Sequence, residues 1–361
     1  KKHLDLADLN KLDKALVTEI VYGTLKNLIF IDWVLDQFIK TNKNKIKPVI
    51  EDLLRCGTYQ IMFLDRVPDS AVCNESSELG RKYGHEGIVK FVNGILRNIS
   101  RNKDKIKFPD KNEERTRYLS VIYSYPTWII DKWMNEYGET FCEELLIAGN
   151  ETPDLCIRVN CMKTEKEKLM NILEKEDISF ENGKYLEEAM YLKGISALEA
   201  RKSFIDGYYQ VQDESSMLVA HVLDPKPGDL VIDVCSAPGG KSTHIAELME
   251  NQGSVISRDI HTHKMQLIER NAKRLGIKII KTEVYDALRL DKSLVEKADK
   301  VLVDAPCSGL GIVRRKPDLK YNNSPSTLEE LEKVQLEILK VSSEYVKKGG
   351  VLVYSTCTIN N

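Results

Sequence analysis

Leu12, Ala15, Leu16, Glu19, Ile20 and Gly23 recur at helical spacing and predict a first helix that ends near the glycine. Trp33, Val34, Phe38 and Ile39 continue that period, and Val89, Val92, Ile95, Leu96 and Ile99 repeat it in a later helix. Pro48, Pro68 and Gly84 punctuate between them, so residues 1 to about 140 read as a small helical bundle. The pattern then changes. Cys156–Val159 reads as a strand, and residues 164–175 read as a helix opened by a capping box of Thr164 and Glu167. Ala189–Leu192 reads as another strand, which makes a small α/β insert with no identifiable chemistry of its own. From about residue 210, apolar runs at Leu230–Val234, Ser254–Ser257, Ile277–Lys281, Lys300–Val303 and Val351–Tyr354 alternate with helical segments. That alternation predicts a parallel sheet with crossover helices.

The 361 residues permit two or three domains with a sizeable core. A first residue other than Met, and a last one directly after a strand-like run, read as a fragment of something longer. The net charge of -2 does not advertise nucleic-acid binding, but it is unevenly spread. Residues 1–140 carry 23 Lys and Arg against 20 Asp and Glu, and the remainder carries 30 against 35, so any RNA contact must come from local patches. Arg97, Arg101, Lys103, Lys105 and Lys107 form one such patch, either a solvated linker or a phosphate-contacting surface. None of the eight cysteines forms a C-x-x-C pair or meets a histidine at zinc-ligand spacing, so no metal is expected. They read as reduced thiols of a cytoplasmic protein, five of them as small buried hydrophobes. No apolar run approaches a membrane span, and no signal peptide is visible.

Four segments carry chemistry. Asp233 through His244 joins a strand end to a helix start through Pro238, Gly239 and Gly240, a turn whose backbone can approach a ligand closely. Gly240-Lys241-Ser242 with the strand Val301–Asp304 resembles a nucleoside-triphosphatase site, but the phosphate loop would need glycine where Cys235 stands. Asp259, about 20 residues past the turn, is a candidate ribose-hydroxyl acceptor or a helix N-cap, and Asp286 is a candidate adenine contact or a turn residue. Cys307 in Asp304–Gly311 and Cys357 in Tyr354–Thr358 sit at the ends of the fourth and fifth predicted strands. Neighbouring parallel strands lie about 4.8 Å apart, so the two thiols are expected to meet over one pocket beside the turn. A paired thiol suits methylation at C5 of cytosine. That carbon becomes nucleophilic only after a thiolate adds at C6, and a carboxylate such as Asp304 can steady the ring.

These residues resemble the RsmB/NOP2 family of RNA cytosine-C5 methyltransferases. The resemblance rests on Gln212–Ser216, Asp233–His244, Arg274–Gly276, Asp304–Gly311, Arg314–Asp318 and Ser355–Cys357. At the front, Glu19–Thr24 and Phe91–Arg97 are similar to a NusB-type domain, while Tyr123–Trp128 and Arg158–Asn160 are similar to the linker and a small RNA-recognition-like subdomain. The resemblance implies an all-α NusB-like bundle over 1–120 and linker helices with a small α/β subdomain over 121–206. It implies a Rossmann-like S-adenosylmethionine methyltransferase domain over 207–361, with the family's last strand pair lying beyond the chain. It also implies that Cys235, Ser236, Ala237, Pro238, Gly239, Gly240 and Lys241 hold the methionine moiety, Asp259 the ribose and Asp286 the adenine. Asp304 then stands between cofactor and base, Cys357 is the nucleophile, and Cys307 assists proton removal or release. Arg314, Arg315 and Lys316 would face RNA phosphates. The implied partner is 16S rRNA, with its target cytosine flipped into the site of a monomeric enzyme that needs no membrane and no metal.

Overall fold

The computed structural model describes residues 9–42, 45–195 and 198–360. It forms two compact units that do not follow chain order. The first holds the chain up to Thr152 with 310–325 and 359 onward, and the second holds 153–309 and 326–358.

In the first unit, helices Lys11–Lys26, Leu28–Phe38, Pro48–Phe63, Asp69–Tyr83 and Glu86–Arg101 enclose Ile31, Val34, Leu35, Ile50, Leu54, Val92, Leu96 and Ile99. Burying each such side chain stabilises by about 1.5–3 kcal/mol. The first helix runs past Gly23, which is not its end; a Cβ there would collide with the Tyr59 ring, so the glycine serves close packing. Leu12, the first member of the expected stripe, is exposed. Helices Arg115–Tyr123, Thr127–Tyr137 and Glu139–Asn150 build a second core from Leu119, Ile129, Ile130, Trp133 and Leu146, which also takes in Leu310 and Val313 from far along the chain. Lys320 is buried with them. Its ammonium donates to Asn150 Oδ1 at 2.7 Å and to the carbonyls of Lys26 and Ser124, and it lies 3.9 Å from the Tyr125 ring centre. Burial pulls this lysine down to about 7.

The second unit opens with a four-stranded antiparallel sheet. Its strands are β1 (Leu155–Val159), β2 (Ser179–Asn182), β3 (Ala189–Lys193) and β4 (Tyr209–Val211), in the order β2-β3-β1-β4. The sequence pattern misses β2 and β4, which are short and carry no apolar run. The helix after β1 spans Lys166–Lys175, and the expected capping box is absent. The Thr164 hydroxyl donates to the Glu165 carbonyl instead of accepting from a helix N–H, while the Thr164 N–H is held by Asn160 in a turn. Cys161, expected to be buried, is exposed beyond the end of β1.

The parallel sheet comprises β5 (Leu230–Asp233), β6 (Ser254–Asp259), β7 (Ile280–Val284), β8 (Ala298–Asp304) and β9 (Val346–Ser355). Its order is β7-β6-β5-β8-β9, with every pairing parallel. Val231, Ile232, Val255, Val301, Leu302 and Val303 are fully buried, as expected for strands covered on both faces. The third run is displaced: the strand is Ile280–Val284, and Ile277 instead closes the preceding helix, its N–H bonding the Ala272 carbonyl beyond left-handed Gly276. Consecutive strands step from β5 out to β7, then cross back to β8 on the other side of β5. That reversal opens a crevice at the carboxyl ends of β5, β6 and β8.

Arg158 of β1 ties the two sheets together. Its side chain is fully buried, and Nε and Nη2 donate to both Glu247 oxygens, at 2.9 and 2.8 Å, on the helix Gly240–Leu248. Nη1 also reaches the Gly240 carbonyl at 3.0 Å and the Gln212 side-chain oxygen, so the guanidinium braces the turn from behind.

Candidate active site

A cavity of about 400 Å³ fills the crevice. Its wall includes Cys235 and Ala237 from the turn after β5, Asp259 to His261 after β6, Tyr285 to Leu288 after β7, Asp304 to Cys307 after β8, and Cys357 after β9. Val334 and Ile338, one helical turn apart, close it on an apolar side. Strand order alone puts the carboxylates of Asp259 and Asp286 on one flank of β5 and the cysteine pair on the other.

The turn between β5 and its helix is tightly determined. Gly239 has φ +97°, and a Cβ there would lie 3.1 Å from Ile268. Ser236 is buried and donates to the Arg258 carbonyl at 2.9 Å, and Pro238 and Gly240 offer their carbonyls to Asn271 and Arg158. Of the seven turn residues singled out from sequence, Cys235 and Ala237 reach the cavity wall; Ser236, Pro238, Gly239 and Gly240 shape the backbone behind it. Lys241 faces a different partner: its ammonium donates to Asp304 Oδ2 at 2.6 Å. Ser355 Oγ donates to Asp304 Oδ1 at 2.8 Å, so both carboxylate oxygens are engaged, one by the tip of the neighbouring strand β9 and one by the first turn of the helix Gly240–Leu248. Sequence reasoning missed Ser355 as a positioning residue. Its place at the end of β9, beside Cys357, was the available signal.

Asp259 does not cap the next helix, which starts at Thr262 behind His261. Its Oδ1 accepts the His261 N–H at 3.0 Å and lies 3.6 Å from the Lys264 ammonium. Asp286 accepts the Leu288 N–H at 3.0 Å. Asp259 thus projects from the end of β6 and Asp286 from the loop after β7, each tied to the backbone two residues on, with acceptor capacity left for a ligand.

The sulfurs of Cys307 and Cys357 lie 3.2 Å apart. The Cys357 N–H also points at Cys307 Sγ, at 3.3 Å. The thiol of Cys357, its backbone N–H and the Gly309 N–H together favour the thiolate on Cys307 and pull it down to about 6, against the opposing effects of burial and Asp304. Cys357 moves the other way, because it shares a hydrogen bond with Cys307, is partly desolvated by its neighbours although the residue is exposed, and would ionise beside one thiolate and one carboxylate. The pair therefore gives up its first proton more readily than a lone thiol and its second less readily, and in the singly ionised state one proton is shared between the two sulfurs. Burial pushes Cys235 up to about 12, which leaves it a neutral wall residue.

Arg314, Arg315 and Lys316 follow the short helical turn Leu310–Ile312 in the first compact unit. Arg314 and Lys316 are exposed and Arg315 is half-buried. In the basic stretch Arg97–Lys107, Lys103 pairs with Asp69 at 3.0 Å, and the other four basic side chains are exposed. Among the described residues no helix is long and apolar enough to cross a membrane.

Residues 220–361 match the family described as 16S rRNA methyltransferase RsmB/F. Residues 1–101 match the NusB family, and 125–199 match the ferredoxin-like domain of RsmF/B-like methyltransferases. The chain is 44% identical to a probable ribosomal RNA small subunit methyltransferase B of Bacillus subtilis, over 98% of this chain and 78% of the relative. Among solved structures, it aligns with the crystal structure of PH0851 at TM-score 0.85 and 28% identity, covering 98% of this chain and 79% of that one. It aligns with NSun6 from Pyrococcus horikoshii with SFG, an S-adenosylmethionine analogue, at TM-score 0.61 and 26% identity, over 66% of this chain and 84% of that one.

Proposed function

Because the chain belongs to the RsmB/F family of rRNA methyltransferases and uses S-adenosylmethionine, we propose that it methylates C5 of a cytosine in small-subunit ribosomal RNA through a transient Cys357–C6 bond. The observation that carries this reading is the pair of sulfurs 3.2 Å apart at the wall of a cavity that Asp304, paired with Lys241, also lines.

The cavity fits the cofactor by the chemistry of its wall. Carboxylates at Asp259 and Asp286 can accept from hydroxyl and amino groups, and Ile260, Leu288, Val334 and Ile338 offer apolar surface to a flat ring. When bound, the cofactor supplies an electrophilic methyl group on a sulfonium. The chain's residues do the rest. A cytosine unstacked from its RNA presents C6 to Cys357. As the Cys357 sulfur forms its bond to C6, its proton passes to the Cys307 thiolate, and the C5–C6 π pair becomes available at C5 for the methyl group. Asp304, held by Lys241 and Ser355, is positioned to accept from the ring's N4 amino group or a protonated N3 and to steady the charge that develops there. After methylation a base takes the C5 proton. The C–H pair restores the ring double bond, and Cys357 departs from C6. Cys307, once its proton has passed to solvent, is the base closest to Cys357. Arg314, Arg315 and Lys316 contribute phosphate contacts.

The reading is tested by digesting 16S rRNA, methylated by the chain in vitro, to nucleosides. Mass spectrometry and chromatography should find 5-methylcytidine; N4-methylcytidine or a ribose-methylated product would reject it. Asp259→Ala is expected to raise the cofactor dissociation constant roughly 10- to 100-fold by calorimetry, since a hydrogen bond to a charged group contributes about 1.5–3 kcal/mol. The cysteine pair also sets a pH limit. The base is lost as pH falls through the depressed Cys307 value, so kcat/KM should drop about tenfold per pH unit below about 6 and level off above it. With Cys307→Ala that acid limb should disappear or move to higher pH.

A further inference from the structure

One cluster of titratable side chains in the second unit takes no part in the methyl-transfer cavity. Glu188 directly precedes β3, His221 lies in the last turn of the helix Glu214–Leu223, and His244 lies in the helix Gly240–Leu248. One donor atom from each falls within 4.8 Å of the others. Glu188 Oε1 is 2.5 Å from His221 Nε2 and 3.5 Å from His244 Nε2. The two rings meet edge-on, with centroids 5.3 Å apart, so both converge on the carboxylate without stacking. His244 is 2% exposed, and its Nδ1 has no hydrogen-bond partner among the described residues. Glu188 is thus the one side-chain partner of that buried ring among the described residues, through Nε2 alone.

The nearest buried cation, the Arg158 guanidinium, is already paired through two bonds to Glu247 and does not compete for the Glu188 carboxylate.

We infer that Glu188, His221 and His244 form a site for one divalent cation of the zinc class, with water completing the shell on the exposed His221 side. Two imidazoles and a carboxylate are a common zinc donor set, with metal–ligand bonds of about 2.0–2.2 Å, which in a tetrahedron places donor atoms roughly 3.3 Å from one another. The donor spacings bracket that value, so small side-chain rotations suffice. The ligands come from three elements and lie 33 and 23 residues apart in sequence, which is why no spacing motif announced them. Bound there, the cation would clamp the small antiparallel sheet to the two helices beside the parallel sheet. The inference stands independently of the methyl-transfer chemistry.

The test uses the full chain carrying Cys307→Ser and Cys357→Ser, so that the thiol pair cannot capture the metal, stripped with a chelator and titrated calorimetrically with Zn²⁺. One Zn²⁺ per chain and a rise in Tm are expected, with no response to Mg²⁺, which disfavours imidazole. Adding His221→Ala, a half-exposed position that should leave folding intact, is expected to abolish the one-to-one binding. Glu188→Gln should weaken it at least tenfold. Absence of binding at micromolar Zn²⁺, undiminished binding in His221→Ala, or equal affinity for Mg²⁺ would each overturn the inference.

Discussion

Replacing Cys307 by alanine is expected to leave the enzyme joined to its RNA. In the native pair the Cys307 thiolate is the main reason Cys357 resists ionisation. Remove it, and Cys357 can ionise alone and add to C6, after which C5 takes the methyl group. The step that then suffers is loss of the C5 proton, which releases the C6–S bond. General-base catalysis contributes typically about 10²- to 10⁴-fold, so turnover should fall by that range while a protein–RNA adduct accumulates on denaturing gels in the presence of S-adenosylmethionine. Cys357→Ala should lose activity more completely, on the order of 10⁴-fold or more, and trap nothing. The double variant should trap nothing either. An adduct that persists without Cys357 would transfer the nucleophile's role to another residue. The test discriminates because the two sulfurs are close enough to be confused by position yet differ in the partners that hold them.

The second large effect is on stability. Glu247→Gln leaves the Arg158 guanidinium buried beside an uncharged amide, with no way to shed its charge. Breaking one side of a buried, hydrogen-bonded ion pair costs about 3–5 kcal/mol. For a unit of this size that corresponds to a Tm lower by roughly 10 °C. Arg158→Met should cost less, because the stranded Glu247 carboxylate can take up a proton and become neutral. Thermal melts of the two variants at neutral pH decide the matter, and equal losses would argue against the asymmetry. Since Arg158 also holds the Gly240 carbonyl, the Glu247 variant should weaken cofactor binding even at temperatures where it remains folded.

Much of this molecule is legible in local pattern. The apolar period of 3.6 around Val89–Ile99, the short runs at Leu230–Val234 and Lys300–Val303, and the Pro-Gly-Gly turn between strand and helix each report what a dozen consecutive residues do. Such signals fail where the decision is not local. Ile277 is as apolar as a strand residue but closes a helix, because Gly276 adopts a left-handed conformation there. Thr164 and Glu167 spell a capping box, but a turn from Asn160 claims the threonine's backbone first. The segment 310–325 follows the parallel-sheet pattern in sequence, but its apolar side chains are buried with those of residues 119–146.

By itself, then, the sequence determined the helical front, the small α/β insert, the alternation that makes a parallel sheet, and the presence of one thiol at each of two strand tips. Hydrophobic periodicity and turn chemistry act over short stretches and are written there. Only the tertiary structure decided that β8 lies against β5, that Lys241 turns to Asp304, that the two sulfurs come within 3.2 Å and titrate as a pair, and that Glu188 gathers two histidines. Those outcomes depend on burial and on charges brought within a few ångströms by strands and helices far apart in the chain. Electrostatic coupling is set by that distance and by the exclusion of water, not by order along the backbone.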